Sequence, residues 1–433
     1  CIEDEIPFEL PEGWEWCRFT SVTVNRDSER KPISSANRTN VAKIYDYYGA
    51  SGKIDKIDKF IFNEKLLLIG EDGANLVTRS KPIAFFAEGQ YWVNNHAHCI
   101  DSTDKLILEY LCLYINAISL EKYVTGSAQP KMTQDNMNSI LIALPPYEEQ
   151  KRLEFQVNHI LKTVSTIENE KEDIVNYIIS AKSKILDLAI RGKLVPQDSN
   201  DEPASVLLER IRAEKEELIK QGKIKRDKKE SIIFKGEDNS YYEKIGKTIK
   251  CIDTEISFEI PNSWLWCRLD SIGNWQTGST PSRRNDEYYG GSIPWIKTGD
   301  LNNGYIIDIP EYITEKALNE TAVKLIPAGT VLIAMYGATI GKVGITTCEA
   351  TTNQACCACC NLYGVLSEYL FYYLQSQKEN FINMAEGGAQ PNISKEKIVA
   401  TLIPVPPYEQ QIQIINIIKI FNKHIESIEK SLN

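Results

Sequence analysis

Apolar residues recur along the chain with two distinct periods. After Pro145-Pro146-Tyr147, Leu153, Ile160, Ile167 and Ile174 fall seven apart, with Val157, Val164 and Ile178 interleaved. After Pro406-Pro407-Tyr408, Ile414, Ile418, Phe421, Ile425 and Ile428 occupy the corresponding slots. Residues three and four apart share a helix face, so each stripe reads as the seam of a coiled coil. One such stripe also suits a helix packed on its own domain's core; two matching stripes favour packing on each other. The first helix is expected from about Pro146 to Ile190, where Arg191-Gly192 supplies a cationic last turn and a stop. At about 1.5 Å per residue it makes a rod of roughly 67 Å. A shorter helix is expected from about Pro203 to Gln221, with a Glu216–Lys220 pair in the favourable order. Residues 222–250 read as a linker, with Lys220, Lys223, Lys225, Arg226, Lys228 and Lys229 as a basic, solvated run.

The other period is short. Lys65–Ile69, Ile83–Phe86, Tyr91–Ile100, Val331–Met335, Val343–Thr347 and Cys356–Leu362 read as strands, with Gly70, Gly73, Gly337, Gly341 and Gly344 at turns. The fold class is α+β: mixed α/β domains over 1–145 and 251–405, a helical spacer over 146–221, the basic linker, and a last helix over 406–433.

The two domains are copies. CIEDEIPFELPEGWEWCRFTSV at 1–22 matches CIDTEISFEIPNSWLWCRLDSI at 251–272, an offset of 250. GSAQPKMTQDNMNSILIALPPYEEQ at 126–150 matches GGAQPNISKEKIVATLIPVPPYEQQ at 387–411, an offset of 261. Pro11, Trp14, Trp16, Cys17 and Arg18 recur as Pro261, Trp264, Trp266, Cys267 and Arg268. Between these similar frames the interiors differ, and the period is far too long for a solenoid.

Composition bounds what such a duplication does. The chain has 433 residues, 42% hydrophobic and 25% charged, enough for more than one core. No apolar run reaches the roughly 18–20 residues of a membrane span, and the first residues given do not read as a signal-peptide pattern. Eleven cysteines, an odd and clustered set, point to reduced thiols and a cytoplasmic setting. The net charge of −10 gives no general attraction to nucleic acid, so DNA binding has to come from local patches.

Few motifs suggest chemistry. Methyltransferases acting on DNA amines use Asn/Asp-Pro-Pro-Tyr, but here Leu144 and Val405 stand where the polar acceptor belongs. Pro-Pro better serves to end a strand and open a helix. Gly337 to Gly344 has the wrong spacing for a dinucleotide loop and reads as a glycine-rich hairpin. Cys356, Cys357, Cys359 and Cys360 lack a second ligand pair for zinc and, on a strand, would point to alternate faces. No catalytic constellation, metal or cofactor is implied. What remains is polar. Lys53, Lys56, Arg79, Lys81, Asn94, Asn95 and His96 lie in the first interior. Thr277, Ser279, Thr280, Ser282, Arg283, Arg284, Lys297, Asn353 and Gln354 lie in the second. These are side-chain types that contact bases and phosphates, though each is also an ordinary surface residue.

The ordered combination resembles the specificity subunit of type I restriction–modification systems. The likeness rests on PEGWEW and PNSWLW, LPPYEEQ and VPPYEQQ, ILDLAIRGKLVPQD at 185–198, EPASVLLERIRAEKEELIKQGKIK at 202–225, and TGSTPSRRNDEYYGGSIPWIKTGDLNNG at 277–304. The resemblance implies a non-catalytic reader of double-stranded DNA. Two recognition domains in pseudo-twofold arrangement each take one half of a bipartite target, and long antiparallel coiled-coil helices hold them apart. Two methyltransferase subunits dock on this scaffold, and restriction/motor subunits join them; no membrane is involved. Members often carry an upstream segment like 185–250, so an N-terminal piece is expected beyond Cys1. The alternative is a stand-alone DNA-modifying, adenine methyltransferase-like, or DNA-cutting enzyme.

Overall fold

In the computed structural model, the described residues are 5–39, 41–126, 129–222, 231–388 and 390–432. The chain divides into two units, Cys1–Glu170 and Lys171–Asn433. The boundary between them falls inside a helix.

In the first unit, β1 (Glu15–Arg18) and β10 (Leu141–Leu144) form an antiparallel ribbon, Glu15 opposite Leu144 and Arg18 opposite Leu141. The interior between them holds two four-stranded sheets. One has the order β2 (Val24–Asn25), β9 (Ala97–Asp101), β6 (Leu66–Gly70), β7 (Ala84–Ala87). The other is β4 (Gly52–Ile57), β3 (Tyr45–Gly49), β8 (Gln90–Val93), β5 (Phe62–Asn63), in which β3 and β8 are parallel. Strand β6 is buried throughout because both its faces are covered. Leu67 and Ile69 pack in a cluster with Leu108, Leu111 and Ile115 of helix α1 (Lys105–Ala117), while Leu66 and Leu68 pack with Tyr91 and Val93.

A continuous strand over Tyr91–Ile100 is not what forms. The chain breaks at Asn94, whose side-chain oxygen accepts the His96 N–H at 2.8 Å and closes an Asx turn.

Helix α2 (Tyr147–Ile190) and helix α3 (Ala204–Lys220) lie where the periodicity puts them. The linker does not. From Ser231 the chain forms an antiparallel meander, β11 (Ser231–Lys235), β12 (Tyr241–Ile245) and β13 (Thr248–Cys251). Ile233 there joins Trp266 and Leu402 in a small core, and Glu243 pairs with Arg268 at 2.7 Å. Of the basic run, only Lys220 falls within the described residues.

The second copy repeats the first. Strand β14 (Leu265–Arg268) pairs with β23 (Leu402–Val405), Leu265 opposite Val405 and Arg268 opposite Leu402, the register of the first ribbon shifted by the two offsets. Its main sheet runs β15 (Asn274–Thr277), β22 (Cys356–Cys360), β19 (Val331–Ala334), β20 (Val343–Thr346), β17 (Gly304–Ile306), one strand longer than in copy one. A smaller sheet runs β18 (Tyr312–Ile313), β16 (Tyr289–Ile296), β21 (Thr351–Thr352), again with one parallel pair. Along β22 the thiols alternate, Cys357 and Cys359 in one core cluster and Cys356 and Cys360 in another. Burial pushes the Cys357 thiol up to about 12.

Shared side-chain bonds fix both frames. Arg18 and Arg268 each donate to a carbonyl at 2.7 Å, of Ser139 and Ala400, and pair with Glu5 and Glu255. Tyr110 and Tyr114 of α1 bond the Ala143 and Leu141 carbonyls, and Tyr369 and Tyr373 of α4 (Ser367–Ser376) bond the equivalent carbonyls of Pro404 and Leu402. Gln150 and Gln411 donate to the Pro145 and Pro406 carbonyls, which is what the Gln of LPPYEEQ and VPPYEQQ does.

The helical stripes divide between both readings. Ile414 and Ile418 of α5 (Tyr408–Leu432) are buried in their own domain's core, Phe421 is half-buried, Ile425 is buried and Ile428 exposed. In α2, Leu153 packs on the first core and Val157 is half-buried, whereas Ile160, Val164, Ile167 and Ile174 are exposed and Ile178 is buried. The last part of α2 runs antiparallel to α5. Lys182 meets Glu429 at 2.7 Å, and Ile185 and Leu186 share a cavity wall with Asn422 and Glu426. Among the described residues no helix is long and apolar enough to cross a membrane.

Candidate nucleic-acid interface

At one end of each main sheet three backbone segments meet. In copy one, Glu71 donates from its N–H to the His96 carbonyl at 2.9 Å and accepts the Met132 N–H at 2.8 Å. In copy two, Met335 donates to Ala355 at 2.9 Å and accepts from Ile393 at 3.0 Å. A turn, the end of a central strand and a hairpin are thus aligned identically in both.

The turns match in detail. Asn94 N–H donates to Tyr48 and Asn353 N–H to Ile296, each after the parallel strand pair. Asn353 accepts the Ala355 N–H on its side chain at 3.1 Å, as Asn94 accepts that of His96. These two Asn side chains therefore build the turn. Asn95 and Gln354 stand exposed at its tip.

Other groups converge on this end in copy two. Ser279 N–H donates to the Thr352 carbonyl at 2.9 Å, and the Thr280 hydroxyl bonds Gln354. Arg283 meets Glu311 at 2.7 Å and lies over the Tyr289 and Trp295 rings at 4.4 and 5.0 Å. Lys297 pairs with the same Glu311, and its ammonium, with Arg283, holds that carboxyl below the usual range against a small burial cost. Ser282 and Arg284 are exposed, and Thr277 is half-buried at the end of β15.

Copy one is more closed. His96 bonds Asp72 at 2.7 Å, and Lys53 and Lys56 face Asp46 at 2.6 and 3.6 Å. Arg79 is turned to another job: it donates to the Asn116 carbonyl at 2.6 Å and to those of Ile115 and Ile118, capping the end of α1. Lys81 is exposed beside it, on a groove shared with Tyr114, Leu153 and Val157. Among the described residues neither side chain bonds the Asn95 turn. Among the described residues no group of three or more His, Cys, Asp or Glu is placed to hold a metal ion.

A family model described as the type I restriction modification DNA specificity domain matches residues 11–186 and again 261–433. The chain belongs to this family. It is 27% identical to the type I restriction enzyme EcoAI specificity subunit of Escherichia coli, over 96% of this chain and 78% of that protein. It is 35% identical to the MjaIX specificity subunit of Methanocaldococcus jannaschii, over 41% of this chain and 42% of that protein. The crystal structure of the HsdS subunit from Thermoanaerobacter tengcongensis shares its fold, with a TM-score of 0.51 at 15% identity over 98% of this chain and 93% of that one.

Below the turn of copy one, this specificity subunit carries an ionic knot that sequence reasoning missed. His98 is fully buried, its Nδ1 2.6 Å from Asp27 and its Nε2 3.0 Å from the Met132 carbonyl. Arg30 and Lys131 meet Glu71 at 2.6 and 3.1 Å. Burial opposes ionisation of Asp27 and Glu71, yet His98, Arg30 and Lys131 hold both carboxyls below their usual range. Copy two has Met335 at the position of Glu71 and needs no such knot. The paired Asn94 and Asn353 were the signal available in the sequence, but the two interiors have to be aligned in space before they match.

Proposed function

We propose that this specificity subunit reads a bipartite double-stranded DNA target, one half through each domain, and performs no chemistry itself. The observation that carries the reading is the pair of equivalent turns. Identical backbone frames present Asn95 and His96 in one copy, and Gln354 with Thr280 and the Arg284 loop in the other. Side chains that differ on scaffolds that agree suit two different half-sites, because base edges are told apart by donor and acceptor placement. Long helices support a fixed spacing between the two readers and give methyltransferase subunits a surface to dock on, with restriction/motor subunits joining the complex. The setting is cytoplasmic. The test uses the full chain with DNA and labelled S-adenosylmethionine, with and without methyltransferase subunits. Methyl transfer should require the partners and fall at one bipartite sequence; transfer by the chain alone would overturn the reading.

A further inference from the structure

Each copy carries a hairpin beside its reading turn, and the two hairpins are built alike. Thr125 and Lys131 exchange backbone hydrogen bonds at 2.9 and 2.8 Å; Glu386 and Asn392 do so at 2.8 Å each. Gly73 N–H donates to the Pro130 carbonyl at 2.9 Å, and Gly337 N–H to that of Pro391 at 2.8 Å. Four residues are the same in both sequences, Gly126, Ala128, Gln129 and Pro130 recurring as Gly387, Ala389, Gln390 and Pro391. Geometry accounts for the glycines. Their φ angles are +87° and +107°, and a Cβ would stand 2.7 and 3.0 Å from the Gln129 and Gln390 carbonyl oxygens. The prolines supply the carbonyls that dock each hairpin on its strand.

The glutamine side chains have no such explanation. Both are exposed, and among the described residues neither carboxamide has a hydrogen-bond partner. The residues around them have diverged, Thr125 against Glu386, Ser127 against Gly388 and Lys131 against Asn392. A side chain that the fold does not use, kept on both hairpins next to turns that differ, meets something that both half-sites share. Every half-site shares its phosphodiester backbone, and a carboxamide N–H can donate to a phosphate oxygen.

We propose that Gln129 and Gln390 each donate to a DNA phosphate beside the half-site read by their own copy, fixing register without reading sequence. The inference rests on the two-reader function above. Being uncharged, these contacts add affinity without releasing counterions, unlike a Lys or Arg contact.

The experiment measures equilibrium binding of the complex of full chain and methyltransferase subunits, carrying Gln129→Ala, Gln390→Ala or both. Target, half-replaced and scrambled duplexes are compared at several salt concentrations. Each single change should weaken binding about two- to tenfold on all duplexes, the range of one hydrogen bond, with an unaltered salt slope. Gln129→Glu should bind more weakly than Gln129→Ala, since it adds a repelling charge. A methylphosphonate scan should find one position per half-site where wild type and variant become equal. Matching thermal unfolding shows that the variants fold. Unchanged affinity, or a loss confined to one base pair, would overturn the proposal while leaving the two-reader function standing. A wild-type complex that binds target no better than scrambled DNA would remove both.

Discussion

Arg283 and Arg284 are adjacent in sequence but differently engaged, so single substitutions should separate them. Arg283 is committed to Glu311 and to the Tyr289 and Trp295 rings, whereas Arg284 is exposed. If Arg284 meets a phosphate, Arg284→Ala removes one counterion-releasing contact, and the log–log salt slope should fall by about 0.9. Over a fourfold rise in salt, wild type should then lose about 3.5-fold more affinity than the variant. The loss at low salt should be alike for target and scrambled duplexes. Arg283→Ala should behave differently. Its cation–ring contacts contribute roughly 0.5–1 kcal/mol at an exposed site, and its ion pair, more than half exposed, at most about 1 kcal/mol after screening. That variant should lose roughly 0.5–2 kcal/mol of stability as well as affinity. Salt titrations by fluorescence anisotropy, paired with denaturant unfolding, read both quantities. An unchanged slope in Arg284→Ala would return that residue to ordinary surface. A stable Arg283→Ala with the larger slope change would show that the structural division between the two is wrong.

Two further outcomes follow from the helix and the ionic knot. Four residues inserted near Ile167 add about 6 Å and turn the helix by about 40°; methylation mapping should show a longer gap or lost binding, with both half-site sequences retained. Asp27 and Glu71 ionise more readily folded than unfolded, so their stabilisation is present above the unfolded value near 4 and is lost as pH falls through the lowered folded values. Protection factors of the β6 and β9 amides, corrected for the intrinsic exchange rate at each pH, should therefore fall below about pH 4 in wild type, whereas Asp27→Asn, already destabilised, should show a flatter pH dependence. An identical pH profile in the two would count against the knot.

The sequence made the frame legible because frame residues carry the repeat. Two offsets aligned Arg18 with Arg268 and the two ends of each copy, and the ribbons pair in that register. Helix ends were legible for the same local reason, through Pro-Pro and Gly192. What stayed hidden depended on contacts remote in sequence. The meander over 231–251 lies in a polar, lysine-rich stretch, and its partners Trp266 and Leu402 are elsewhere in the chain. Arg79 looked like a DNA contact because its helix-capping carbonyls are more than 35 residues away. The heptads of α2 and α5 gave the period correctly; the period alone does not say which turns face a core and which a neighbouring helix.

The central claim is that the two copies read independently. Replacing residues 20–125 by the equivalent of another family member keeps the 126–150 frame and all of the second copy, and sequencing the methylated sites made by the resulting complex tests the claim directly. One half of the target should change while the other half and the gap persist. A change in both halves, or in neither, would contradict it.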